Sequence, residues 1–148
     1  MQELGSKSFV YYDMFRLLTI AWILLLADFA CAQEPKFQFS IFFRGGSYYI
    51  TEDQREDLSN FLLNINNVDQ YNMTIHSHTD NIGGVEFNDM LSRMRSQSAM
   101  EQLLINTIRQ EMIEIKDFGL HNPVYDNSTW EGKLRNRRVD ILLWPEIL

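Results

Sequence analysis

Residues 71–95 read YNMTIHSHTDNIGGVEFNDMLSRMR, and the fold turns on how they are divided. From Tyr71 to His78 the side chains alternate, with Met73 and Ile75 opposite Thr74, His76 and His78; period two is the signature of a half-buried strand. The turn through Asp80–Gly84 contains Gly83-Gly84, which lets the backbone reverse tightly. Beyond it the spacing predicts a long helix over 86–106, with Phe87, Leu91, Met94, Ser98 and Ile105 along one core-facing stripe. Strand, tight turn and helix thus follow one another with almost no linker.

The flanking segments repeat this alternation of element types. Upstream, FQFSIFF at 37–43 reads as a mostly buried strand, broken by Gly45-Gly46. Thr51 is placed to cap a helix over 52–64, with Glu52 and Asp53 in its first turn and Leu58, Phe61 and Leu62 on one face. Downstream, a short strand is expected over 114–118. A loop at 121–129 rich in Asn, Asp and Pro follows, and VDILLW at 139–144 forms a last strand stopped by Pro145. The fold class is α+β. The order β-α-β-α-β-β forms a two-layer sandwich, with helices packed on one face of a small mixed sheet.

Composition narrows the function. The chain has 148 residues, 45% of them hydrophobic and 13% aromatic, which excludes intrinsic disorder and suits one packed domain. A formal charge of −7 argues against a nucleic-acid partner, since phosphate backbones are bound by clustered Lys and Arg. A single cysteine excludes an internal disulfide framework and a multi-thiolate zinc site.

The amino-terminal part reads as a leader. LLTIAWILLLA at 17–27 is preceded by Lys7 and Arg16 and followed by Ala30-Cys31-Ala32, the three-part plan of a secretory signal peptide. Cleavage is expected after Ala32, and Met14 would give a signal of more usual length. The division is therefore 1–32 signal peptide, 33–40 a lead-in with the start of the first strand, and 41–148 the domain. A bilayer-spanning helix needs about 20 apolar residues, more than this run supplies before Asp28 interrupts it. Lipidation at Cys31 is disfavoured, because Asp28, Phe29 and Ala30 fit an acylation motif poorly.

The residues carrying chemistry are His78-Thr79-Asp80 and Gly83, then Asn88, Leu91-Ser92 and Arg95, and finally Asn136-Arg137-Arg138-Val139. Taken singly, Asp80 would cap a helix and Arg95 would pair with a surface acid. Together they resemble the OmpA-like peptidoglycan-binding domain, whose hallmarks are an HTDxxG turn, NxxLSxxR on the next helix and an NRRV strand. The resemblance covers residues 41–144. It implies non-catalytic binding of the diaminopimelate-type residue of the peptidoglycan stem peptide.

On that reading Asp80 accepts from the ligand ammonium and Arg95 grips its carboxylate through a fork of donors. Asn88 and Arg95 lie seven positions apart and share a helix flank, so carboxylate and guanidinium can border one crevice. Asn88 and Thr79 complete the expected ligand-binding set: the resemblance implies that the Asn helps shape the crevice, and either residue equally suits a turn-stabilising hydrogen bond. Gly45, Gly46, Leu91, Ser92 and Arg138 are site-flanking, and of Arg137 and Arg138 one is expected to be structural. The sequence departs from the family in the loop Phe43-Arg44-Gly45-Gly46-Ser47-Tyr48-Tyr49, where relatives carry an acidic FDFD-like stretch. Its glycines offer backbone N–H groups to a ligand carboxylate instead.

Other classes are weaker. His76, His78 and His121 lack the pattern of a metal site, and no activated Ser or Cys nucleophile or carboxylate pair at hydrolase spacing is recognisable. The chain is therefore read as a non-enzyme without cofactor or metal. A flagellar stator or envelope-complex subunit would need an uncleaved amino-terminal helix, and a repurposed interaction module would not need Asp80 and Arg95. The location expected is the periplasm of a diderm bacterium. Membrane association would be indirect, through an outer-membrane or envelope protein partner.

Overall fold

The computed structural model describes residues 34–146. The segment read as a leader, with its expected cleavage after Ala32 and the disfavoured lipidation of Cys31, lies outside the described residues. In chain order the elements are β1 (Phe37–Phe42), α1 (Glu52–Leu63), β2 (Tyr71–His78), α2 (Val85–Ile105), β3 (Ile113–Gly119), α3 (Trp130–Asn136) and β4 (Arg138–Pro145). Single 3-10 turns at Val68–Gln70 and Gln110–Met112 lead into β2 and β3. Among the described residues no helix is long and apolar enough to cross a membrane.

The four strands form one mixed sheet in the order β1-β4-β2-β3. β2 and β3 run parallel, as the long α2 crossover between them requires, while β4 lies antiparallel to both β1 and β2. The last strand is therefore central, and all six residues from Arg138 to Leu143 are buried. On the helical side Met73, Ile75, Val139, Ile141 and Leu143 pack with Ile41 against Leu58 and Leu62 of α1 and Ala99 and Leu103 of α2. Burying each large aliphatic stabilises the fold by about 1.5–3 kcal/mol. The opposite face is polar and cross-linked by side chains: Ser40 Oγ donates to Asp140 at 2.6 Å, Arg138 Nε donates to the same carboxylate, and Trp144 Nε1 donates to Thr74 at 2.9 Å.

α1 starts as expected, with a reciprocal capping box between Thr51 and Gln54 and Glu52 and Asp53 in the first turn. Two expectations are corrected. The segment after the 121–129 loop is helical: Thr129 caps α3 by accepting from the Gly132 N–H. The element order is therefore β-α-β-α-β-α-β within the same two layers. The core stripe of α2 is also displaced by about one position. Its buried residues are Asn88, Leu91, Ser92, Arg95, Ser96, Ala99 and Leu103, whereas Phe87 and Ile105 are exposed. A helix face of small and polar residues escapes a search for large apolar ones.

Candidate functional site

The site is built where β2 gives way to α2. Thr79 N–H donates to the Gly119 carbonyl at 2.8 Å, which extends the β2–β3 pairing one residue beyond the strand. Asp80 follows, 6% exposed, with Oδ1 accepting the Ile82 N–H at 3.2 Å in an Asx turn. The chain reverses through Gly83 at φ +99°, a backbone conformation that side chains rarely adopt. Asn88, fully buried on the first turns of α2, closes the turn by donating from Nδ2 to the Ile82 and Gly84 carbonyls, each at 3.1 Å. Its Oδ1 is left without a partner.

Two turns further along, Arg95 is fully buried. Its guanidinium donates to three backbone carbonyls: Nε to Ser47 at 2.9 Å, Nη1 to His78 at 3.0 Å and Nη2 to Arg44 at 3.2 Å. It also lies over the Phe43 ring, 4.8 Å from the centroid. Arg95 therefore fastens the 43–47 loop to the end of β2, and three of its five N–H donors are already engaged. Burial lowers its pKa to about 10; Asp80 opposes that shift and Arg137 adds to it. The group remains charged at neutral pH.

Arg137 is the cation that meets Asp80. Nε lies 3.1 Å from Oδ2, with both side chains less than a tenth exposed. That N–H is directed at the Lys133 carbonyl, 3.4 Å away, so Oδ2 has a counter-charge without an aligned donor. Nη2 of Arg137 is also without a partner. The guanidinium lies over the exposed Trp130 ring at 5.1 Å and against Gly45, where a Cβ would come within 2.6 Å of Nη1. Gly45 thus makes room for Arg137, a close approach that no other residue allows without displacing the guanidinium. From sequence alone Arg137 suits a structural or a flanking role. The doubled arginine after Asn136 was the available signal, but it could not tell which of the pair turns towards Asp80.

The other expected residues divide. Thr79 is buried and donates from Oγ1 to the Asp80 carbonyl. Ser92 Oγ donates to the Ser77 carbonyl and accepts the Gly119 N–H, tying α2 to both parallel strands, and Leu91 packs beside it. Gly46, at φ +67°, forms the loop tip. Arg138 is not brought to Asp80, contrary to its expected flanking position. It is held by Asp140 and the Arg135 carbonyl on the face away from α1 and α2, because alternation along β4 sends Val139 to the core side. The histidines have separate partners: His76 and His78 both pack on the Phe118 ring, His78 Nδ1 contacts the Asn122 carbonyl, and His121 lies 3.6 Å from Asp89. Among the described residues no three His, Cys, Asp or Glu side chains are grouped to hold a metal.

The buried ionic groups therefore fall into two sets. Arg138 and Asp140 neutralise one another. Asp80, Arg95 and Arg137 form a second cluster with one positive charge in excess, in a chain whose net charge is −7. Such a cluster, with unpartnered atoms on Asp80, Asn88 and Arg137, is suited to a ligand carrying a carboxylate beside an ammonium group.

Comparison with known proteins gives a family and a fold. The model of the OmpA family matches residues 42–137. The chain is 37% identical over 73 residues to the probable lipoprotein YiaD of Escherichia coli, covering 49% of this chain and 33% of that protein. It is 34% identical over 71 residues to the peptidoglycan-binding protein ArfA of Mycobacterium tuberculosis, covering 48% and 22%. The chain thus spans a third or less of the length of these relatives. Among solved structures, the peptidoglycan-associated lipoprotein from Burkholderia pseudomallei superposes with a TM-score of 0.64 at 22% identity, over 70% of this chain and 88% of that one, which shows the shared fold.

Proposed function

The chain belongs to the OmpA family, and on that premise we propose that it binds peptidoglycan without turnover, holding part of the cell envelope to the wall from the periplasm. The observation that carries the reading is the buried Asp80–Arg137 pair with Arg95 behind it, at the turn where the family motif falls. The ligand is the diaminopimelate-type residue of the stem peptide, whose free end presents an ammonium and a carboxylate. The ammonium supplies the aligned donor that Asp80 Oδ2 lacks, and the carboxylate accepts from the unpartnered Nη2 of Arg137. Arg95 positions the 43–47 loop through its three carbonyl bonds and supplies the positive field behind the site. Asn88 and Thr79 hold the turn that aims Asp80. Other envelope proteins would be gathered at the wall through this anchor.

Each charge-assisted hydrogen bond contributes about 1.5–3 kcal/mol, so removing either charged partner should weaken binding at least about tenfold. Co-sedimentation of the chain with purified peptidoglycan sacculi tests this, alongside Asp80→Asn and Arg137→Gln variants checked for native circular dichroism. The wild type is expected to pellet and the two folded variants to remain largely in solution. A folded wild type that stays in the supernatant, or variants that pellet as well as it does, would overturn the assignment.

A further inference from the structure

A cavity of about 520 Å³ lies beside the same loop, lined by Phe42, Arg44, Ser47, Tyr49, Thr51 and Gln54. Its volume falls within the roughly 300–1,000 Å³ typical of small-ligand sites. The walls are fixed from several directions. Gln54 and Thr51 close the capping box of α1, Gln54 Nε2 donates to the Phe42 carbonyl at 2.7 Å, and Ser47 Oγ accepts the Tyr49 N–H. Arg95 holds the Arg44 and Ser47 carbonyls from the Asp80 side, so one loop serves both places.

What this frame presents to solvent is specific. Phe42 and Tyr49 are 51% and 64% exposed, and Arg55, paired with Glu52, lies 5.8 Å from the Tyr49 centroid and steadies that ring. Among the described residues the exposed Arg44 guanidinium has no hydrogen bond or ion pair, leaving its planar fork of donors open. Glu52 and Asp53, in the first turn of α1 between two lining residues, oppose an anionic occupant. The complement is a neutral molecule with one apolar face and a rim of acceptor oxygens.

We infer that this cavity is a saccharide subsite, taking an N-acetylated amino sugar of the wall polymer whose peptide occupies the Asp80 site. A pyranose presents C–H bonds to Tyr49 and Phe42, and its acetamido oxygen accepts from Arg44. The inference rests on the peptidoglycan reading and adds to it that glycan and peptide are held by two surfaces of one loop.

Titration calorimetry of the full chain separates the two claims, using free stem tetrapeptide, disaccharide-tetrapeptide and disaccharide alone. The wild type is expected to bind the disaccharide-tetrapeptide about tenfold more tightly than the free peptide. Tyr49→Ala, an exposed site whose loss leaves the fold intact, is expected to abolish that gain and leave free-peptide affinity unchanged. Arg44→Gln is expected to reduce the gain. Equal affinity of the wild type for both peptide ligands, or a gain that survives in both variants, overturns the subsite. If the free peptide does not bind, the Asp80 assignment fails, and the disaccharide alone then decides the cavity. Binding that Tyr49→Ala removes supports it, and no binding overturns it.

Discussion

Arg95 shows how far a residue's role can depend on parts of the chain remote from it. A buried guanidinium is expensive unless its donors are met, and here carbonyls of residues 44, 47 and 78 meet three of them while Phe43 covers its face. Lysine reproduces the charge but not the planar fork that reaches three acceptors in different directions. Arg95→Lys should therefore destabilise the fold by about 2–4 kcal/mol, because buried partners are left unmet. Urea unfolding measures this directly, and a loss under about 0.5 kcal/mol would mean that the three-carbonyl anchor contributes little in solution. The sequence marks Arg95 as chemically important through its spacing from Asp80 and Asn88. It cannot reveal that most of the fork faces backbone, since the acceptors belong to a loop about fifty residues upstream and to the end of the preceding strand.

At the scale of elements, legibility followed the large apolar side chains. β1, β2 and α1 were readable because alternation or a capped apolar face announced them. α3 was not: it is seven residues long, carries Gly132, and is held by a Thr129 cap and the Asn136 contacts to Tyr125 and Asn127 rather than by an apolar stripe. The buried face of α2 departs from the apolar stripe for the related reason that Asn88, Ser92, Arg95 and Ser96 line the site and its strand junctions. β2 carries a pH dependence of its own. Burial lowers the pKa values of His76 and His78 below 6.5; Lys116 adds to the shift at His76 and Arg138 at His78, while Asp140 opposes both. In the unfolded chain both rings regain their ordinary value, so just below pH 6.5 the unfolded state binds more protons. This stabilisation is complete above that pH and is lost as pH falls through the lower folded values. The melting temperature should hold steady above about pH 7 and decline towards pH 5, ahead of the carboxylate titration. A His76→Gln/His78→Gln double variant should flatten that decline; an unchanged slope would place the dependence elsewhere.

For the whole molecule, the distribution of charge matters more than its total. The surface is acidic enough for a net charge of −7, yet the Asp80–Arg95–Arg137 cluster holds an excess positive charge under cover. Peptidoglycan is itself anionic, so approach is opposed at long range and favoured only once a ligand carboxylate enters the cluster. These two effects respond differently to ionic strength. Exposed charges more than about 8–10 Å apart are screened at physiological salt, whereas buried pairs at 3 Å are screened much less. Raising sodium chloride from low to physiological concentration should therefore leave affinity for sacculi unchanged or increase it, by relieving surface repulsion while sparing the site. A basic protein held by surface lysines and arginines behaves in the opposite way, losing orders of magnitude over the same range. Sedimentation isotherms across that salt series distinguish the cases. A steep fall in affinity would show that exposed cations such as Arg44 dominate and that the buried cluster does not carry the recognition.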